Sequence, residues 1–172
     1  MLIWQNKQFG IRPFRSGDKA DLAKNLNNFE ITKFLSRVPF PYTKKDAQNW
    51  IEESQKQYRK CKPDSLSFAI TIKDKVVGGI GFNEIEDFKA DIGYWLGEKH
   101  WVNGIMTEAV KKLIQYGFNQ LNLVRISAIT LIDNTPSQKV LLKCGFIKEG
   151  ELHKYLKKDD KIEDVFLFAI TK

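Results

Sequence analysis

Two short stretches of this 172-residue chain hold residue types whose spacing could do chemistry. In Trp95-Leu96-Gly97-Glu98-Lys99-His100-Trp101-Val102-Asn103-Gly104-Ile105-Met106-Thr107-Glu108-Ala109 a strand pattern stops, a loop turns, and a glycine stands where a helical pattern begins. The first N–H groups of a helix lack internal partners and carry the positive end of its dipole, and a glycine lets an anion come close to them. The chemistry in view is phosphate binding by the backbone. The stretch has neither the Gly-Lys-Ser/Thr ending of a P-loop nor the three glycines of a dinucleotide fingerprint. The second stretch runs from Asn134-Thr135-Pro136-Ser137 to Gly145-Phe146-Ile147-Lys148-Glu149-Gly150. Taken alone, Asn134 and Ser137 read as helix caps, and Gly145 as a left-handed stop before a core aromatic. His100 and His153 have no Cys, Asp or Glu at metal-ligand spacing, so no metal site is expected. Cys144 reads as a core thiol, not a nucleophile.

The elements that position these stretches follow from periodicity. Ile11 to Arg15 predicts a short edge-type strand, because Pro13 cannot sit in a central one. Asp18 opens a helix with Leu22, Ala23, Leu26 and Phe29 on one face. Thr43 with Asp46 three residues on predicts a capping box for a second helix, burying Ala47, Trp50, Ile51, Ser54 and Tyr58. Ser67 to Ile72 and Val76 to Ile85 read as strands joined by the turn Lys73-Asp74-Lys75, and Ala90 to Gly97 as a third. Gly104 opens a long helix with Val110, Leu113, Ile114, Gly117, Phe118 and Leu121 on its buried face. Val124 to Thr130 is a strand, and Asn134 starts a shorter helix with Pro136 in its first turn. Phe146 to Leu156 and Ile162 to Ile170 predict a closing hairpin across the charged block Lys154 to Lys161. A meander followed by a strand–helix–strand crossover implies a mixed α/β sheet in a single domain, residues 1–172.

Composition narrows the function classes. With 42% hydrophobic residues, 12 Phe, 4 Trp and 5 Tyr, the chain can bury a core and is not a disordered one. It has no apolar run of membrane-spanning length, no secretory pattern at Met1 to Lys7, and only two cysteines, which together predict a cytoplasmic protein without membrane contact. The net charge of +7 could attract nucleic acid or phosphorylated small molecules, yet both signs are interleaved and no nucleic-acid motif is present, so direct nucleic-acid binding is not expected.

Together, in this order and strand context, the two stretches resemble the Gcn5-related N-acetyltransferase superfamily, through nearly the whole chain. The likeness is closest to the branch of ribosomal-protein N-terminal acetyltransferases. It rests on Ile11-Arg12-Pro13-Phe14, Ala90-Asp91-Ile92-Gly93-Tyr94-Trp95-Leu96, Trp101-x-x-Gly104-x-Met106-Thr107-Glu108-Ala109, Asn134-x-x-Ser137 and Gly145-Phe146-x-x-Glu149-Gly150, with Asp164 on the closing hairpin. The resemblance implies an α/β fold with a mixed, mostly antiparallel twisted sheet of about seven strands flanked by about four helices. It implies acetyl-CoA as co-substrate, with no metal. Tyr94, Trp95 and Leu96 would pair their backbone with the pantetheine arm, and Trp101, Val102, Asn103, Gly104, Ile105, Met106 and Thr107 would hold the pyrophosphate. Asn134 would bond the pantetheine, Lys139 is counted with the cofactor-binding residues, and Ser137 would sit by the thioester sulfur.

Three departures from the superfamily pattern bear on the chemistry. Asn103 stands where a basic residue is common, Leu141 where many members place a tyrosine acid, and Asp91 where a longer glutamate is frequent. Ser137 is then the best available proton donor to the leaving thiolate, and Asp91 and Glu84 are the candidate bases. A free α-amine, with pKa about 7.7–8.0, is neutral far more often at pH 7 than a lysine at about 10.4, a difference worth roughly 3.4 kcal/mol. An N-terminal acceptor thus tolerates a weak base. The expected activity is acetyl transfer to a primary amine by direct attack in a ternary complex. The acceptor is a ribosomal or other protein N-terminus, or else a polyamine or small metabolite, and a non-catalytic acyl-CoA sensor is the rival. Monomer and homodimer stay open.

Overall fold

The computed structural model describes residues 3–158 and 160–172, so Met1 and Leu2 of the expected leaderless start, and Asp159 of the expected hairpin turn, lie outside it. The elements run β1 (Trp4–Gln5), β2 (Gly10–Pro13), α1 (Lys19–Leu26), α2 (Phe29–Thr32), α3 (Lys44–Tyr58), β3 (Leu66–Ile72), β4 (Lys75–Asn83), β5 (Lys89–Leu96), α4 (Ile105–Gln120), β6 (Arg125–Leu131), α5 (Thr135–Lys143), β7 (Ile147–Lys158) and β8 (Lys161–Thr171). The strands form one mixed sheet of eight in the order β1-β2-β3-β4-β5-β6-β8-β7. The strand beyond the expected seven is β1, a two-residue pairing on Gly10 and Ile11 that stops short of Pro13, so the proline keeps an unpaired side as its missing N–H requires.

Each face of the sheet is closed by its own helices. Phe68, Ile80, Phe82, Ile92, Ile126 and Phe168 are buried on the face covered by α4 and α5, with Val110, Leu113 and Leu141 from those helices. Phe14, Leu22, Leu26, Ile51, Ala69 and Val76 form a smaller core under α1 and α3. The second core is braced by an ion pair: buried Arg12 meets buried Asp18 through two hydrogen bonds of 2.7 and 2.9 Å. The Thr43–Asp46 capping box starts α3, and Ala47, Ile51 and Ser54 are buried as the periodicity requires.

Two expected core residues are not in the core. Phe29 and Trp50 are 57% and 43% exposed. The first helix ends at Leu26, and Phe29 belongs to the one-turn α2, whose rotation carries its ring outward to an edge-on contact with Phe40 at 5.6 Å between centroids. Lys154 also departs from the expected turn: it lies within β7 as a left-handed irregularity, φ +49°, while the strands continue to Lys158 and Lys161.

One pairing sets up the site. β5 and β6 are parallel and paired only from Lys89 to Asp91 against Arg125 to Ser127. Beyond that, β5 stays with β4 as far as Leu96 opposite Gly78, and β6 stays with β8 as far as Leu131 opposite Val165. The two strands therefore part in the middle of the sheet, and each turns an unpaired backbone edge toward the gap.

Candidate active site

At the C-terminal end of β5 the chain makes a loop that is held from inside. The Trp101 indole N–H donates to the Leu96 carbonyl at 2.7 Å, which folds residues 97–101 back on the strand. That carbonyl is thereby taken, and the open part of the β5 edge lies before it. Val102, fully exposed, has φ +56°, a left-handed conformation that a β-branched residue rarely adopts. Gly104 is the N-cap of α4 with φ +74°, and a Cβ added there would meet nothing within 4 Å. The first bond of the helix is from the Glu108 N–H to the Gly104 carbonyl at 3.1 Å, which leaves the N–H groups of Ile105, Met106 and Thr107 without helical partners. Gly104 was read as the opening residue of a helix. It is the left-handed cap before it, so any side chain there costs backbone strain even though space is open.

Side chains along β5 alternate between the two faces. Ile92, Tyr94 and Leu96 pack on the α4–α5 side. Trp95 packs on the α1–α3 side beside Leu35 and Val38. Its indole lies on Gly79 of β4, where an added Cβ would be 2.4 Å from Nε1, so the strand pair needs glycine at that position.

The start of α5 meets β5 through side chains. The Asn134 side-chain Oδ1 accepts the Ser137 N–H at 3.3 Å as an N-cap. The Tyr94 hydroxyl lies 2.8 Å from Ser137 Oγ and 3.2 Å from the Ser137 carbonyl oxygen. Burial pushes the Tyr94 hydroxyl pKa well up, so it keeps its proton. Leu141, one turn further, is fully buried and offers no polar atom. Lys139 on the same helix is exposed. At the far end of α5 the Cys144 thiol donates to the Thr107 carbonyl at 3.4 Å, and burial raises its pKa, which suits packing and not nucleophilic attack.

The two candidate carboxylates are placed differently. Asp91 lies where β5 and β6 part, and accepts a hydrogen bond from the Ser127 hydroxyl. Glu84 follows β4 in a left-handed conformation, is exposed, and pairs with Arg37 at 3.1 Å. The structure brings Tyr94, Ser137 and Asn134 together at the parting strands and puts Glu84 out on the β4–β5 turn. The Tyr94 side chain is the group that sequence reasoning missed. Alternation along β5, with α5 laid over that face, was the available signal.

The closing hairpin holds a cluster that spacing along the chain also missed. His153 Nδ1 lies 3.1 Å from Asp164, across the hairpin on β8, and 3.8 Å from Glu151, two residues before it on β7. Possible ligand atoms of Glu151, His153 and Asp164 lie within 4.8 Å of one another. His153 has its pKa raised by the hydrogen bond to Asp164.

The profile of the acetyltransferase (GNAT) domain family matches residues 8–147. The chain belongs to that family. The N-acetyltransferase p20 of Bacillus licheniformis is 37% identical over 164 residues, covering 94% of this chain and 92% of that protein. The ribosomal-protein-serine acetyltransferase of Escherichia coli (strain K12) is 36% identical over 129 residues, 74% of this chain and 69% of that one. Among solved structures, the microcin C7 self-immunity acetyltransferase MccE, in complex with acetyl-CoA and AMP, superimposes with a TM-score of 0.88 at 27% identity, covering 97% of this chain and 94% of that one. This GNAT chain is an N-acetyltransferase, and acetyl-CoA is its co-substrate. The free amides at the start of α4, the open space at Gly104 and the unpaired β5 edge could hold a pyrophosphate and an extended amide chain. No helix among the described residues is long and apolar enough to cross a membrane.

Proposed function

We propose that this GNAT enzyme acetylates the α-amine of a protein or peptide N-terminus, with direct attack in a ternary complex. The observation that carries the reading is how the carboxylates are engaged. Asp91 accepts from Ser127 and Glu84 is exposed against Arg37, so neither is a free, buried base. Such a site suits an amine that is already substantially neutral near pH 7, which is an α-amine and not a lysine or a polyamine. The likeness to a ribosomal-protein-serine acetyltransferase points the same way. Lys33 and Lys158 flank a cavity of about 180 Å³ between α2 and the closing hairpin, and these cations oppose a polycationic acceptor.

Acetyl-CoA supplies the thioester carbon that the amine attacks. In this reading the Ile105, Met106 and Thr107 amides, with Trp101, Val102, Asn103 and Gly104 shaping the loop, bind the pyrophosphate. Tyr94, Trp95 and Leu96 present the strand edge that orients the pantetheine, with Asn134 and Lys139 across the gap. Ser137 gives a hydrogen bond to the departing sulfur, and Asp91, through water, receives the amine proton, with Glu84 the more distant alternative. The two cysteines, one exposed and one buried, fit a reducing cytoplasm.

An acceptor screen read by free-thiol release tests the assignment. Peptides with a free N-terminal serine or alanine should turn over, the same peptides blocked at the α-amine but carrying lysine should not, and spermidine should be slow. Faster turnover of spermidine or of the blocked lysine peptide overturns it.

A further inference from the structure

At the head of α5 the Tyr94 and Ser137 hydroxyls meet at 2.8 Å, a contact in which either oxygen can be the donor, and the choice decides what each partner does. Ser137 Oγ has one side-chain partner among the described residues, the Tyr94 hydroxyl at 2.8 Å. The tyrosine has a second, longer acceptor in the Ser137 carbonyl at 3.2 Å. That carbonyl belongs to the first turn of α5, where it accepts from the helix backbone four residues on. Its capacity is partly used, and the serine oxygen is the nearer acceptor. The serine N–H is occupied separately by Asn134, so capping the helix does not require the hydroxyl.

We propose that Tyr94 is a positioning residue for the acetyl transfer: its hydroxyl donates to Ser137 Oγ, so that the serine hydrogen is free to point at the leaving sulfur. The inference rests on the reading of Ser137 as the donor to that sulfur. In the opposite arrangement the serine would spend its hydrogen on Tyr94 and face the sulfur with lone pairs, which would repel the developing charge. Donation by Tyr94 also polarises the serine O–H, since hydrogen bonds in a chain strengthen one another. Partial burial raises the pKa of the tyrosine hydroxyl, which keeps it protonated and able to donate. With Leu141 apolar on α5, the second hydroxyl of the site comes from strand β5.

The proton balance leaves both residues unchanged. The amine nitrogen bonds the acetyl carbon, the carbon–sulfur bond breaks with its electron pair on sulfur, and Ser137 Oγ–H hydrogen-bonds that sulfur as charge builds. The proton shed by the amine passes through water to Asp91, which returns it to solvent, and the thiolate takes one from water. Tyr94 acts only through Ser137, and only as charge develops, so its contribution falls on kcat.

The test is a double-mutant cycle on Tyr94→Phe and Ser137→Ala, with kcat, acetyl-CoA KM and melting temperature for each. The acceptors are a free N-terminal serine peptide and, as a generic α-amine, glycinamide. Ser137→Ala is expected to lower kcat about 10²–10⁴-fold. Tyr94→Phe should lower it roughly 10-fold or more, the scale of one hydrogen bond to a developing charge, with KM for acetyl-CoA within threefold of the parent. The double variant should be no slower than Ser137→Ala alone, because two groups that act as a unit are not additive. A Tyr94→Phe kcat within twofold of the parent, beside a slow Ser137→Ala, overturns the positioning role and leaves the serine reading intact. Losses that multiply in the double variant overturn it as well. A Ser137→Ala variant as fast as the parent overturns the serine reading, and the proposal falls with it.

Discussion

The two faces of the sheet are built by different means. Under α4 and α5 the packing is almost wholly apolar, from Phe68 and Phe82 to Leu141 and Phe168, and at its rim lie the helix-start amides and the Tyr94–Ser137 hydroxyl pair, where we propose the chemistry sits. Under α1 and α3 the apolar core is smaller, a buried Arg12–Asp18 pair helps close it, and its outer edge carries exposed Phe29 and Phe40 with Lys33 and Lys158. In the proposed reading the first face serves a ligand recognised through main-chain geometry, and that geometry needs rigid support. The second offers side chains that can be exchanged without disturbing the sheet, which suits a surface that selects acceptors.

The largest expected effect that sharpens this contrast is in rate. Ser137→Ala should lower kcat by about 10²–10⁴-fold with little change in acetyl-CoA KM. Phe40→Ala, on the other face, should move acceptor KM and leave acetyl-CoA KM alone, as steady-state kinetics with both substrates varied would show. If Phe40→Ala instead weakens acetyl-CoA, the division of labour between faces is wrong.

Next come two stability losses of similar size and different origin. Phe82→Ala removes a fully buried ring and should cost roughly 3–5 kcal/mol. Asp18→Ala leaves the buried Arg12 with only exposed Asp74, 3.5 Å away, and should cost up to about 3–5 kcal/mol, yet an apolar pair, Arg12→Met with Asp18→Leu, should recover most of it. Denaturant titration of the variants checks both, and no recovery in the double variant would show that the ion pair does more than close the core.

Cofactor linkage is smaller. Acetyl-CoA at 100 times its dissociation constant should stabilise the fold by about 2.7 kcal/mol, which for a chain of this length is a melting shift of roughly 5–10 °C. AMP alone, lacking the pantetheine, should give much less.

The smallest effect belongs to the exposed hairpin. Asp164 is held below the usual carboxylate range by the Lys154 N–H and by His153, and His153 is raised by Asp164. The His153 contribution is fully present below its unfolded value near 6.5 and fades as pH rises through the raised folded value. The Asp164 contribution is present above its unfolded value near 3.9 and fades as pH falls through the lowered one. Both act together between about pH 4 and 6.5. In the NMR titration of the His153 ring, Asp164→Asn should lower the midpoint, with scarcely any change in melting temperature because the pair is solvated.

Much of this fold is legible in the sequence because local rules and tertiary packing agree. The Thr43–Asp46 box, the αL glycine at Gly145 and the α4 stripe through Val110 and Leu113 each sit where their residue types put them. The failures lie where partners are distant in sequence. Phe29 has helical spacing with Leu22 and Leu26, but the helix stops between them and the phase is lost. His153 meets Asp164 only through a hairpin irregularity that no spacing rule foresees. Within the site, a glycine at the start of α4 was readable from its place before the helical pattern, whereas Tyr94 against Ser137 required knowing which face of β5 the helix α5 covers.

The parting of β5 and β6 has a consequence for association. A sheet edge normally sits at the rim, where its unsatisfied amides can recruit the strand of another molecule. Here an edge is enclosed within the sheet, flanked by paired strands on both sides, and in the proposed reading the partner it recruits is the pantetheine, a slender chain of amides and methylenes. In amide hydrogen exchange the β5 backbone facing the gap should exchange readily in the free protein and become protected with acetyl-CoA bound, as though the sheet had gained a strand that the gene does not encode.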